Sequence, residues 1–252
     1  MSAFKELLEQ TPLEPEYGYL REPPSGKARL WHKAFEIFCA GLFNLYCPLK
    51  VFGRENLPAP PFLLCSNHSS HMDSVALMYA SRLGFGRFGM IAAKDYFFDN
   101  AKRKNSLPLL MNLIPADRKS TRQTIARLMV ACREFSQCGP RSIIIYPEGT
   151  RSLTGEIAPL KKGVAMIAAE LHLPIVPAYI HGTFQSLPKG VGFPRPRRIR
   201  VHFGKPIIAR QFADDAADTG AGTGRLIYTH ITNELEQRLR ALRDHHHTTH
   251  GH

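Results

Sequence analysis

Phe62-Leu63-Leu64-Cys65-Ser66-Asn67-His68-Ser69-Ser70-His71-Met72-Asp73 is the stretch whose reading decides the fold. An apolar run at 62–65 delivers the backbone to a polar cluster, and Ser74-Val75-Ala76-Leu77-Met78-Tyr79 carries it away with a helix-like composition. The cluster therefore sits between a strand and a helix, where active sites are commonly built. His68 and Asp73 are five residues apart, which puts them on different faces of a regular helix or strand. They meet only if a turn folds one back towards the other.

The pattern recurs further along. Residues 141–146 contain Ile143, Ile144 and Ile145 in succession, as expected of a strand buried on both faces, and they run into Pro147-Glu148-Gly149-Thr150-Arg151-Ser152. A buried strand that ends in a charged turn points to the carboxyl edge of an α/β sheet, where ligands bind. Between the two, Ile125, Leu128, Met129, Cys132 and Phe135 have helical spacing behind Ser120 or Thr121 as a cap. Val164, Ile167, Ala168 and Leu171 predict a helix over 161–171, and 174–180 is the next apolar strand. Arg198, Arg200 and His202 alternate with Ile199, Val201 and Phe203, the pattern of an edge strand with one wet, basic face. Residues 214–224 read as a loop, and Ile227, Ile231, Leu235, Leu239 and Leu242 as a final amphipathic helix. The expectation is one α/β domain over 50–243, with a mostly parallel mixed sheet flanked by helices.

Residues 1–49 form a separate N-terminal segment, irregular over 1–27 except for a short helix near Phe4. From Trp31 to Leu49, Trp31, Phe35, Phe38, Leu42, Leu45 and Leu49 recur at steps of three and four, and Pro48 ends the helix. His32, Lys33, Glu36 and Asn44 interrupt it, so it reads as lying in a membrane interface, against the alternative of packing on the protein's own core. The histidine-rich tail 244–252 reads as disordered or as a vector-derived remnant, with metal binding as the alternative.

Lysine and arginine exceed aspartate and glutamate by 33 − 21 = 12 at a pI near 9.7, so the surface attracts something negative. Nucleic acid lacks any matching motif, which leaves an anionic membrane surface or phosphorylated molecules. The five cysteines include no Cys-x-x-Cys pair and indicate a reducing compartment. The acidic, proline-bearing start lacks a signal-peptide pattern, so the chain is expected on the cytoplasmic face of a membrane, as a peripheral or monotopic protein. Gly84-Phe85-Gly86-Arg87-Phe88-Gly89 matches the dinucleotide fingerprint by letter, but a helical stretch precedes it and an apolar run follows, so it reads as a helix-to-strand loop.

A histidine can take a proton at neutral pH, and a carboxylate on its far nitrogen fixes the tautomer and stabilises the imidazolium. His68 and Asp73 suit such a dyad. The chain has no Gly-x-Ser-x-Gly elbow, so the nucleophile is inferred to be the substrate's own hydroxyl. Metal ligation by His68, His71 and Asp73 competes, without a recognised ligand set beside it, and a plain polar turn with a capping aspartate is the bland alternative.

The His-x4-Asp pattern at 68–73, the Arg118 segment, Tyr146-Pro147-Glu148-Gly149-Thr150-Arg151-Ser152, and Ile175-Val176-Pro177-Ala178-Tyr179-Ile180 follow one another in the order of the four motifs of the glycerolipid acyltransferase family. The chain resembles that family, the 1-acylglycerol-3-phosphate acyltransferases and their relatives, over about residues 50–205. The first and third motifs are specific; the second and fourth are loose. Tyr146 stands where phenylalanine is commoner, and Ala178-Tyr179 alters the usual fourth motif.

The resemblance implies transfer of a fatty acyl group from acyl-CoA or acyl carrier protein to the hydroxyl of a lysophospholipid, with no cofactor beyond that cosubstrate. It makes His68 the general base and Asp73 its orienter, with no covalent enzyme intermediate. Arg118, Glu148, Gly149, Thr150 and Arg151 would bind the acceptor, and Arg151 suits a phosphate because its planar fork donates in pairs. Glu148 would orient an arginine or accept a hydroxyl proton. Lys94 would support the oxyanion, or else be a surface lysine, and Pro177 would shape an acyl pocket or end a strand. The rivals are a non-phosphorylated lysolipid acceptor, a thioesterase or lipid hydrolase with water as acceptor, and a non-catalytic lipid-binding protein.

Overall fold

Leu63–Ser66, the core of the opening stretch, is a strand with every residue buried, as is Ser142–Ile145. Continuous apolar runs of this kind exclude water from both faces and are at home inside a sheet covered on both sides. The computed structural model describes residues 3–97, 111–119, 121–212 and 224–250. Its strands are β1 (Leu49–Phe52), β2 (Leu63–Ser66), β3 (Phe88–Ala93), β4 (Asn112–Ala116), β5 (Ser142–Ile145), β6 (Ile175–His181) and β7 (Ile199–Phe203). The helices are α1 (Ala3–Gln10), α2 (Gly26–Gly41), α3 (Met72–Ser81), α4 (Lys94–Phe97), α5 (Arg122–Gln137), α6 (Gly163–Leu171), α7 (Thr183–Ser186) and α8 (Gly224–His250). Among the described residues the fold is α/β, with seven strands, mostly parallel, flanked by helices.

Two compact units are distinguished, Met1–Ile37 with Gly84–Ile143, and Phe38–Leu83 with Ile144–His252. In the smaller, β3 and β4 pair in parallel and α5 packs on β4, α1 and the 3-10 turn Pro15–Arg21. Thr121 caps α5: its side chain accepts the Thr124 amide at 3.1 Å, and Thr124 Oγ1 accepts the Thr121 amide at 2.9 Å. In the larger unit β1 pairs in parallel with β7, β7 antiparallel with β6, and β6 in parallel with β2. Helix α8 covers β6 and α6, while α3 packs near β1 and β7.

Three expectations are corrected here. Strand β7 is no edge, since it lies between β1 and β6. Its polar His202 is 4% exposed, stacked on Phe52 with ring centroids 4.6 Å apart and bonded through Nε2 to His246 Nδ1 at 3.2 Å. The face read as wet from the alternation is therefore covered by the last helix at His202, while Arg198 stays exposed and Arg200 half-buried. That helix runs to His250, past the expected boundary at 243, because His246 is fully buried against Tyr179, His181 and His202.

The third correction concerns the N-terminal helix, which starts at Gly26 and ends in a π turn, Leu42–Tyr46. Leu49 begins β1 instead of ending the helix, because Pro48 lacks an amide proton and its carbonyl accepts the Ile199 amide at 2.9 Å. Cys39 and Phe43 point inward, whereas Leu30, Trp31, Ile37, Phe38, Leu45 and Tyr46 are exposed. Among the described residues no helix is long and apolar enough to cross a membrane. The basic trio 102–104, the loop read over 214–224 up to residue 223, and Ser120 lie outside the described residues.

Candidate active site

Strand β2 ends at Ser66, and the buried side chain of Asn67 continues its pairing. Asn67 accepts the Ile180 amide at 2.8 Å and donates to the Ile180 carbonyl at 2.9 Å, which fixes the chain where it leaves the sheet. The backbone then doubles back. The Ser69 and Ser70 amides donate to Asp73 Oδ2 at 2.7 and 2.8 Å, and Ser70 Oγ accepts the Met72 amide at 3.1 Å while donating to the Leu187 carbonyl at 2.7 Å. Asp73 lies in the first turn of α3, where the helix dipole favours a negative charge.

His68 Nδ1 lies 3.0 Å from the same Asp73 oxygen. A carboxylate only accepts, so Nδ1 is the donor, and in the neutral ring that tautomer leaves the lone pair on Nε2. Among the described residues Nε2 makes no hydrogen bond, and the side chain is 19% exposed while that of Asp73 is 0% exposed. All three donors converge on Oδ2; Oδ1 is buried without a hydrogen bond among the described residues.

The turn after β5 closes on this one. Tyr146 stacks on His68 with ring centroids 3.8 Å apart and planes 12° from parallel, and its hydroxyl shares a 2.7 Å hydrogen bond with Ser74 Oγ. Burial, and next the charge of Asp73, push the Tyr146 phenol well above its ordinary range, so it stays neutral. Glu148 accepts the His68 amide on Oε1 at 2.7 Å and the Ala158 amide on Oε2 at 2.9 Å. Burial raises its carboxyl above the usual range, against the pull of those two amides. The Ser152 amide returns the contact by donating to the His68 carbonyl at 2.7 Å.

Glu148 was expected to orient an arginine or accept a hydroxyl proton; its two oxygens are held by backbone amides. A buried carboxylate must find donors, and two amides released by the turns supply them. Thr150 is exposed and Arg151 half-buried in the same turn. Gly149 has φ +74°, a left-handed conformation that favours glycine, and the Lys161 chain lies across it, so that a Cβ there would come within 2.5 Å of Lys161 Nζ.

Pro177 is buried inside β6, opposite Cys65, and does not end the strand; Gly204 closes over it and donates its amide to the Pro177 carbonyl at 2.8 Å. His71 is exposed at the start of α3. Lys94 and Arg118 belong to the other unit. There Lys94 pairs with Glu14 at 3.1 Å and Glu16 at 3.5 Å over the Tyr17 ring, and Arg118 pairs with Asp95 at 2.6 Å on the surface.

Asn67, Ser70 and Ser74 had no role assigned from the sequence, and Tyr146 was noted only as a departure. The available signal was density: polar side chains packed between two buried strands must be satisfied by one another. Chemically, a histidine whose side chain is partly exposed, with a buried carboxylate on its Nδ1 side, is arranged to take a proton on Nε2 from a bound hydroxyl or water.

The sequence profile described as Acyltransferase matches residues 48–181 of this chain. The 1-acyl-sn-glycerol-3-phosphate acyltransferase of Limnanthes douglasii is 32% identical over 171 residues, covering 68% of this chain and 58% of the relative. An enzyme of the same name from Cocos nucifera is 32% identical over 160 residues, covering 64% and 50%. The chain thus spans between half and three fifths of the length of these relatives. Among solved structures, the 1-acyl-sn-glycerophosphate acyltransferase PlsC of Thermotoga maritima superposes with a TM-score of 0.62 over 84% of this chain and 79% of its own, at 23% identity, a likeness of fold. With more than half of its residues matched by the profile, this chain belongs to the Acyltransferase family.

Proposed function

We propose that this protein moves a fatty acyl group from a thioester, acyl-CoA or acyl carrier protein, to the free hydroxyl of a 1-acylglycerol-3-phosphate. The observation that carries the reading is the 3.0 Å contact between His68 Nδ1 and a carboxylate already held by two amides, with Nε2 left open. The names of the relatives support the acceptor.

In this mechanism His68 Nε2 takes the acceptor's hydroxyl proton as the oxygen attacks the thioester carbon. Asp73 holds the ring and offsets the charge of the imidazolium. Collapse of the tetrahedral intermediate breaks the carbon–sulfur bond, and the proton on Nε2 passes to the departing thiolate. No side chain is acylated. Arg151, with Thr150 and the Gly149 turn, binds the acceptor phosphate, and Glu148 positions His68 through its backbone amide. The lipid acceptor requires work at a bilayer, on its cytoplasmic face, and the exposed apolar residues of α2 supply contact with it.

Labelled acyl-CoA incubated with and without lysophosphatidate tests this. Labelled phosphatidate should form only with the acceptor, and His68→Ala should abolish it while the far-ultraviolet spectrum stays unchanged. Free fatty acid released without acceptor would instead make the protein a thioesterase, and near-wild-type turnover of His68→Ala would remove the dyad. Arg151→Ala should raise the acceptor KM; an unchanged KM would favour a non-phosphorylated acceptor.

A further inference from the structure

The loop 187–198 carries an apolar side chain that nothing in the catalytic arrangement needs. Phe193 is 73% exposed and Val191 is exposed beside it, yet the backbone that carries them is held firmly. Ser186 Oγ donates to the Arg195 carbonyl at 2.7 Å, the Arg195 amide donates to the Ser186 carbonyl at 2.8 Å, and Cys47 Sγ approaches the same Arg195 carbonyl at 3.5 Å. Tyr46 donates its hydroxyl to the Pro194 carbonyl at 3.0 Å and meets the Phe193 ring edge-on at 6.2 Å. Leu45, 85% exposed, adjoins Tyr46 in the chain. A braced loop that spends its bracing on holding a phenylalanine in water calls for a partner.

Charge identifies the partner. Lys189, Arg195, Arg197 and Arg198 are exposed in this loop, and neither 41–52 nor 183–212 contains an acidic residue. Where the loop rejoins the sheet, Pro48, Lys50, Arg198, Ile199 and Arg200 line a hollow of about 280 Å³ with three cationic side chains. An apolar tip ringed by cations over a basic hollow fits the surface of an anionic bilayer, with the ring among the acyl chains and the hollow at headgroup phosphates. A nucleic-acid partner would not account for the buttressed phenylalanine and valine.

We infer that the loop 187–198, with Tyr46 and Leu45 beside it and the Lys50, Arg198 and Arg200 hollow at its base, is a second bilayer-docking surface that inserts Phe193 and takes anionic headgroups. It rests on the reading of the protein as one that acts on membrane lipid, and goes beyond the N-terminal helix. The loop is also joined to the site, since Leu187 at its root accepts Ser70 Oγ from the turn that holds Asp73. Docking here sets the open side of that turn relative to the lipid.

The test uses the full chain carrying Trp31→Phe and Phe193→Trp, which leaves a single tryptophan at the loop tip. Vesicles of phosphatidylcholine with phosphatidylglycerol should shift its emission to the blue, and bromine-labelled acyl chains should quench it. Lys50→Gln with Arg198→Gln should weaken binding to these vesicles roughly fivefold per charge removed, and leave binding to phosphatidylcholine alone unchanged. Bound protein whose loop tryptophan still emits as in water overturns the inference and leaves the acyl-transfer reading standing, as does a double variant that binds anionic vesicles like the wild type. Insertion of the loop without any acyl transfer sustains the docking surface and removes the enzymatic reading. Failure of the chain to bind vesicles of either composition overturns the inference and leaves the enzymatic reading to the acyl-transfer assay.

Discussion

Tyr146 lies flat against His68, 3.8 Å between ring centroids, and is anchored on its far side by the Ser74 hydroxyl at 2.7 Å. In the proposed reaction the stack becomes a contact between an imidazolium and a π face, which favours the protonated ring by about 0.5–2 kcal/mol. Tyr146→Phe keeps the ring and loses only the hydroxyl, so turnover should stay within a few-fold of wild type. Tyr146→Leu should lower kcat roughly 2- to 30-fold with little change in acceptor KM. Equal kcat values for the two variants would show that the stack contributes nothing to turnover.

Asp73→Asn should behave unlike a substitution that reverses the histidine tautomer. All three donors reach Oδ2, so an asparagine oxygen in that position keeps the Ser69 and Ser70 amides and His68 Nδ1 satisfied. What is lost is the charge, and the amide nitrogen takes the buried place of Oδ1 with no acceptor. A charge-assisted hydrogen bond exceeds a neutral one by about 1–2 kcal/mol, which predicts a kcat lower by roughly 5- to 30-fold. The unpaired amide should cost about 1–3 kcal/mol in denaturant unfolding. A loss of activity far beyond that range would mean that the asparagine has turned over and reversed the tautomer.

Glu148→Gln separates the backbone role of this residue from a direct one. Its two oxygens accept amides from His68 and Ala158, and a glutamine presents a donor to one of them. Stability should fall by about 1–3 kcal/mol because one of the two amides loses its acceptor, and kcat should fall with it to the extent that the amide left unpaired is that of His68. Unchanged stability together with a raised acceptor KM would instead give Glu148 a contact with substrate.

The α/β class was legible because 62–65 and 143–145 are apolar without interruption, and such runs have few fates in a chain of this length. The meeting of His68 with Asp73 was legible as a requirement for a turn, since five residues of regular structure cannot bring them together. The partners of Glu148 were not legible, because His68 is 80 residues away and a backbone amide leaves no mark in the sequence. The same holds for His202, whose alternation with apolar neighbours read as a wet face until His246, 44 residues later, covered it. Periodicity reports that a side chain is polar, and only the tertiary partner decides whether that polarity faces water. Lys94 shows the reverse: its charge was legible, but not the pairing with Glu14 and Glu16 from a segment that reads as irregular.

The buried histidine on the last helix makes stability depend on acid. His246 is fully buried, and burial first, then the neighbouring His181, His202, Arg200 and His247, lower its pKa to about 3 from an ordinary value near 6.5. The folded protein therefore keeps it neutral where the unfolded chain already binds a proton, so stability falls as pH drops below about 6.5 and is insensitive to this group above it. The slope is at most about 1.4 kcal/mol per pH unit, or about 2 kcal/mol between pH 6.5 and pH 5. Denaturant unfolding at the two ends of that window should show the loss, and His246→Leu, which removes the titrating group from beneath α8, should flatten it. A variant that loses stability with acid as steeply as the wild type would assign the sensitivity to other groups, with His181 and His202 across the same contact the next to replace.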